Sequence, residues 1–526
     1  MAPLLLLLLL SLLSFHHQFQ VLQAQDHDFS YMKSVHNASE MGSVEEEYDY
    51  IVIGGGTAGC PLAATLSENY SVLVLERGNA PQSHPSVLTT AGFFSDLLSS
   101  KDDGTTPFQR FTSEDGVGNA RGRVLGGSSM VNGGFYSRGD DEFFAKSGVE
   151  WDMGMVEKAY EWVEESVVSR PGLDVWQSAS REALVEAGVA PDNGFGLDHK
   201  IGTKTSGSTF DRFGRRHGAV ELLSRGNLER LRVVVQATVH RIIFSTKTSS
   251  STKAPSAIGV IYTDSKGKSH KAFVGHKGEI ILSAGAIGSP QLLLLSGIGP
   301  QNSHPNVGKF MADNPSNTIS LILPNSSMES STIKVVGITN DYFIEPTLFH
   351  IQLNASTNLS LGIIAEKIPG PLSSGSLWLS SSTDAKAAPH VRFNYFANPI
   401  DLSRCVMAMK KIGDMLKTDA MDQFKHKSSD DDEGEFLFSG SSLPSNNNNQ
   451  SEWESFCRTT VTTIWHYHGG CNVGKVVDGD FRVMGITSLR VVDGSTFNLS
   501  PGTNPQATLM MLGRYVGLKM LEERRG

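Results

Sequence analysis

The sequence predicts an α/β fold built on a parallel sheet. Three observations within residues 48–78 predict it: a buried-type strand, a glycine-rich turn opening a helix, and a second strand ending on an acid. Tyr50-Ile51-Val52-Ile53 is aromatic and β-branched, as in a strand covered on both faces. Gly54-Gly55-Gly56-Thr57-Ala58-Gly59 follows at once and fits G-x-G-x-x-G. Pro61 to Ser67 reads as a helix, Ser71 to Leu75 as the second strand, and Glu76 stands at its end. In this order the residues make a dinucleotide cradle of the Rossmann type. Gly54 allows the tight turn, Gly56 lets a pyrophosphate approach the backbone, and Gly59 lets helix pack on strand. The helix N-terminus offers free N–H groups and roughly half a positive charge to phosphates. Glu76 lies 22 positions after Gly54, where a carboxylate accepts from ribose hydroxyls. An acid there disfavours a 2′-phosphate, which leaves NAD or FAD. An ordinary glycine turn would satisfy the motif, but not the register of all four parts.

Further elements follow from pattern. Met155 to Val168 has Val156, Tyr160, Val163 and Val167 at helical spacing. Arg232 to Phe244 and Glu279 to Ser283 read as strands. Lys427 to Ser451 holds Asp430-Asp431-Asp432-Glu433 and Asn446 to Asn449, a composition that makes a solvated loop rather than a core. Ser488 to Asp493 gives a final strand, so the cofactor unit is discontinuous. Pro505 then sits at the first turn of a closing helix, where its missing N–H costs nothing. Gly513 and Gly517 are four apart, so that helix is expected to press close to the sheet.

Composition bounds the rest. The 526 residues, 39% apolar, allow two domains with full cores. A net charge of −10 without a basic cluster argues against nucleic acid. Leu4 to Phe15 is too short to span a bilayer and reads as part of a signal peptide over residues 1–24, with cleavage after Ala24. Secretory targeting, to the extracellular space or the vacuole, follows, with N-glycans expected. Sequons stand at Asn37, Asn69, Asn325, Asn354, Asn358, Asn449 and Asn498. Asn69, between helix and strand, and Asn498, near the proposed site, are the poorest acceptors. Of four cysteines, Cys60 is expected to be buried, Cys471 follows a histidine motif, and Cys405 and Cys457 bracket the most polar stretch.

Two more glycine-rich segments separate NAD from FAD. These are Gly122-Arg123-Val124-Leu125-Gly126-Gly127-Ser128-Ser129-Met130-Val131-Asn132 and Ser283 to Pro300, and the C-terminus reads Asn504-Pro505-Gln506-Ala507-Thr508. With the N-terminal unit they resemble the glucose–methanol–choline (GMC) flavoproteins over nearly all of the chain after about residue 45. Asp192 to Asp211 and Trp465 to Gly470 resemble the plant mandelonitrile-lyase branch of that family. The resemblance implies bound FAD. Its contacts would be Gly54, Gly56, Thr57, Ala58, Gly59, Glu76, Arg77, Val124, Ser128, Asn132, Gly133, Gly134, Phe135, Val239, Trp465, Gly494, Asn504, Pro505 and Gln506. It also implies a mainly FAD-binding region over 45–315, a mainly substrate-binding α+β region over 316–479 with a mainly antiparallel sheet, and a return to the FAD domain over 480–526. A Cys405–Cys457 bridge is a further implication.

The same resemblance puts His466 and Asn504 against the flavin as the catalytic pair. Imidazole suits removal of a hydroxyl proton near neutral pH, and Asn504 would hold the same oxygen as a donor. His468 reads as structural. His-Tyr-His has no third ligand placed by sequence, so no metal is expected, and no G-x-S-x-G supports a serine hydrolase. Proton removal serves two reactions: hydride leaves a carbinol and an alcohol is oxidised, or cyanide leaves and an aldehyde forms. Lyases of the family usually carry Tyr and a second His where this chain has Ile464 and Asn504. The chain is also short after Pro300 and from Tyr342 to Leu361, which would cost activity if a strand beside the pocket were lost. Three readings follow: a lyase acting on an aromatic cyanohydrin, an FAD-dependent alcohol oxidase or dehydrogenase, and an inactive flavin-binding glycoprotein.

Overall fold

The computed structural model describes residues 29–42, 45–98, 102–245, 254–302, 304–354, 357–428 and 431–525. The expected leader over residues 1–24 lies outside them. Two large sheets organise the described chain. In the first, the strands run in the order Val35–Asn37, Leu231–Val235, Val72–Leu75, Glu46–Ile53, Ser269–Leu282, Ala257–Thr263 and Thr238–Phe244. The first five are parallel and the last two antiparallel. Leu489–Val491 joins the far end of Ser269–Leu282 in parallel. Tyr50, Ile51, Val52 and Val72 to Leu75 are buried on both faces, as their unbroken apolar runs require.

The second sheet runs Leu437–Phe438, Pro315–Ile322, Thr357–Lys367, Phe343–Asn354, Val335–Ile338, Gly202–Thr205 and Asp192–Phe195. Its pairings are antiparallel except the last. One face packs on the helices Val175–Glu186 and Pro399–Met415 through Ile319, Leu321, Ile344, Ile364 and Met409. The opposite face carries Ser316, Thr318, Glu345, Thr347, Ile363 and Ala365, and it closes over the first sheet's carboxyl edge.

Several sequence expectations change in detail. Arg232 to Phe244 is two strands, not one, because Gln236 turns the chain with φ +56° between them. Leu231–Val235 then extends the parallel sheet while Thr238–Phe244 pairs elsewhere. The polar stretch from Lys427 to Ser451 is not uniformly loop. Asp431–Glu435 pairs with His426–Ser428, and Leu437–Phe438 joins the second sheet. The short segment from Tyr342 to Leu361 keeps its hairpin, paired from Phe343↔Lys367 to Asn354↔Thr357.

The cysteine expectations stand as read. Cys405 and Cys457 are bonded, joining two helices of the second unit, and Cys60 and Cys471 are free and buried. The closing helix does not press on the sheet as expected: a Cβ on Gly513 would lie 2.2 Å from Ala58 O and one on Gly517 2.7 Å from Thr65 Cβ, so both glycines face the helix Gly59–Ser67, which lies between it and the strands. Asn498 Nδ2 donates to Ser147 O and Val473 O, and Asn37 Nδ2 to Gln236 Oε1, so both sequon amides are occupied. No helix among the described residues is long and apolar enough to cross a membrane.

Candidate active site

A cavity of about 690 Å³ lies between the two sheets. At one end it meets the glycine turn. Gly54 has φ +100°, and a Cβ there would lie 2.4 Å from Ser283 O, so only glycine fits. Both Glu76 oxygens are held, by Gly78 N–H at 2.7 Å and Gly55 N–H at 3.1 Å. Burial raises the Glu76 pKa against those bonds. One lone pair on each oxygen remains for a ribose hydroxyl. Beside it, Arg77 Nη1 and Arg121 Nε donate to one acceptor, Gln109 Oε1, at 2.7 and 3.0 Å. Burial and then the Arg77 charge hold the Arg121 pKa well below its usual value. Two guanidiniums sharing one amide oxygen in a cavity wall call for an anion. That donor set, with the helix N-terminus at Gly59–Ser67, fits a dinucleotide diphosphate.

Seventeen of the nineteen expected contact residues line the cavity. Gly59 and Val124 do not. A Cβ on Gly59 would lie 2.0 Å from Gly54 O, so this residue serves helix packing alone. Val124 is buried behind the wall, bridged to Asn79. Asn132 and Gln506 bond each other, Nδ2 to Oε1 at 2.9 Å, and Gln506 Nε2 donates to Phe135 O. Arg216, fully buried, locks this pair by donating to Asn132 Oδ1 and O. No sequence pattern pointed to Arg216.

At the other end stand His466 and Asn504. His466 is buried, and its Nδ1 makes no hydrogen bond to the protein. Burial, then the Lys367 charge, then His468 hold its pKa well below 6.5, so the ring is a neutral base at pH 7. His468 lies outside the cavity. Its Nδ1–H donates to His466 O at 3.1 Å, and burial holds its pKa at about 4.

Lys367 was not singled out from sequence. Its Nζ donates to Asn504 Oδ1 at 2.7 Å and pairs with Glu345 Oε1 at 3.1 Å, and both charged side chains are 1% exposed. An ammonium only donates, so the Asn504 oxygen must face Lys367. The amide nitrogen is thereby turned away from Lys367, free to donate to a ligand. Lys367 and Glu345 stand on neighbouring strands of the second sheet, where only the folded register brings them together.

Family models described as GMC oxidoreductase match residues 48–316 and 371–513. The chain is 49% identical to "(R)-mandelonitrile lyase 4" of Prunus serotina, over 98% of this chain and 93% of that protein. It is 51% identical to "Sinalpyl alcohol oxidase Nec3" of Nesocodon mauritianus, over 95% of this chain and 93% of that protein. A formate oxidase of Aspergillus oryzae superposes with a TM-score of 0.75 at 19% identity, over 92% of this chain and all of that one, a likeness of fold. With the cradle, the paired sheets and this length of identity, the chain belongs to the GMC oxidoreductases, a family whose cofactor is FAD.

Proposed function

We propose that the chain is an FAD-containing enzyme of the (R)-mandelonitrile lyase type, which cleaves an aromatic cyanohydrin to an aldehyde and HCN. The observation that carries the chemistry is His466: a neutral imidazole, buried beside the cavity, with Nδ1 unbonded to protein. Sequence identity to lyases over nearly the whole chain supports this substrate class. In this reading His466 takes the carbinol proton while the Asn504 amide donates to the same oxygen; the C–CN bond breaks as the carbonyl forms, and His466 returns the proton to cyanide as HCN. Lys367 does not line the cavity; it is the cation behind Asn504 and His466, and only its field favours the departing cyanide. Phe93, Phe349, Ile333 and Ile363 offer an apolar wall to the aryl group. The chemistry that FAD supplies when bound is hydride acceptance; the lyase reaction draws only on its shape and field.

Alcohol oxidation is the second reading, and one observation favours it. Glu345 cancels the Lys367 charge on the side where an anion would leave. The division at residues 315, 316 and 479, the leader, the N-glycans and delivery to the extracellular space or vacuole belong to the same proposal. Assay of the purified holoenzyme decides between the readings. With racemic mandelonitrile it should release HCN and benzaldehyde in equal amounts. Background HCN, together with anaerobic bleaching of the flavin by an aromatic alcohol, would move the assignment to oxidation.

A further inference from the structure

His466 is carried on an irregular pairing. Pro315↔Thr463 and Ser316↔Thr462 fix one antiparallel register. Continued by three residues, that register would set Ala312 against His466. Ala312 is bridged instead to His468. The segment therefore holds two residues more than the strand facing it, a bulge that lifts Ile464 to His466 out of the ladder. Trp465 absorbs the turn at φ +59°, a left-handed conformation uncommon for a large side chain.

Such a bulge strands backbone donors that the ladder would have paired. Asp313 supplies the missing acceptor. Its Oδ1 takes the His466 N–H at 2.9 Å. Its Oδ2 takes Thr463 Oγ1–H at 2.6 Å and the Tyr395 hydroxyl at 2.5 Å. Thr463 Oγ1 in turn accepts Trp465 N–H at 2.7 Å. Thus one carboxylate fixes Thr463 and His466 directly and Trp465 at one remove. Asp313 is 2% exposed and does not line the cavity, so it acts through the backbone and not on the substrate.

We infer that Asp313 is a positioning residue: it closes the bulge and aims the His466 ring into the cavity. The inference rests on the reading of His466 as proton acceptor, and it holds for lyase and oxidase alike. An apolar residue at 313 would leave three buried donors unmatched, each a penalty comparable to a lost hydrogen bond. An asparagine would still accept from His466 N–H, while the two hydroxyls can rotate to accept from its amide.

The test compares Asp313→Ala and Asp313→Asn holoenzymes with wild type. It reads kcat and KM on the substrate that wild type turns over, and the His466 signal in ¹³C-histidine spectra. Asp313→Ala should keep its flavin, lower kcat by ~100-fold as expected for a base displaced by about 1 Å, leave KM within a few-fold, and shift the His466 signal. Asp313→Asn should recover most of the loss. If Asp313→Ala does not fold, Thr463→Val takes its place and should show a smaller fall in kcat with the same shifted signal. An unmoved signal with wild-type kcat overturns the inference, as does an Asp313→Asn enzyme as impaired as Asp313→Ala. A wild type inactive on both substrate classes defeats the proposed function, and the His466 signal alone then decides the role of Asp313.

Discussion

At the glycine-turn end of the cavity, backbone from a few compact motifs meets the ligand. At the His466 end, side chains from separate segments do: Glu345, His466 and Asn504 line the cavity from three places in the chain, and Lys367 bonds Glu345 and Asn504 without lining it. The first end depends on conformation, on a left-handed glycine and on N–H groups of a helix terminus. The second depends on charges placed by sheet register. So damage to the first should remove the cofactor, while damage to the second should change chemistry or stability and leave the cofactor bound.

The largest effect expected is at Gly54. Gly54→Ala forces a Cβ against Ser283 O and Ala284. The purified variant should be colourless or should not fold, read from its visible absorbance. A yellow, stable Gly54→Ala protein would break the contrast at once. His466→Ala is the opposite case. It should retain flavin and lose activity by ~10²–10⁴-fold, the usual cost of a general base. Because the folded His466 pKa is depressed, activity should persist below pH 6.5 and fall only in more acid solution. A limb at 6.5 in kcat/KM would contradict that environment.

The buried pair sharpens the comparison in stability. Lys367→Met leaves Glu345 buried without its cation, a change that typically costs ~3–5 kcal/mol. Adding Glu345→Leu should recover much of this in denaturant unfolding. Reducing the Cys405–Cys457 bond, which closes a 52-residue separation, should cost ~4 kcal/mol on the chain-entropy model. The smallest effect concerns Asp313. Burial raises its pKa from 3.8 to about 7. Its protonated form is therefore favoured in the fold, and that stability is present below pH 3.8 and lost as pH rises through 7. The melting temperature of wild type should fall relative to Asp313→Asn across that window.

The same contrast explains what was legible beforehand. Strand, turn, helix and Glu76 are contiguous, so one window of sequence held the whole cradle. His466 and Asn504 were reached through family motifs. Lys367, Glu345 and Asp313 were not reached, because nothing local marks them. Lys367 and Glu345 sit in strands 22 positions apart and meet only through the Phe343–Lys367 hairpin. Asp313 matters only because the facing segment carries two extra residues. The break at Gln236 was hidden for a related reason: Arg232 to Phe244 is uniformly strand-like, and only a backbone angle divides it.

The chemistry turns most directly on how Asn504 works beside His466. Asn504→His supplies a second imidazole where Lys367 now fixes an amide. HCN release from racemic mandelonitrile, measured for wild type and Asn504→His holoenzymes at equal flavin content, is the decisive comparison. A lyase of this kind gives HCN from wild type and a faster release from the variant. No HCN from either protein, with wild-type flavin bleached anaerobically by an aromatic alcohol, would contradict it.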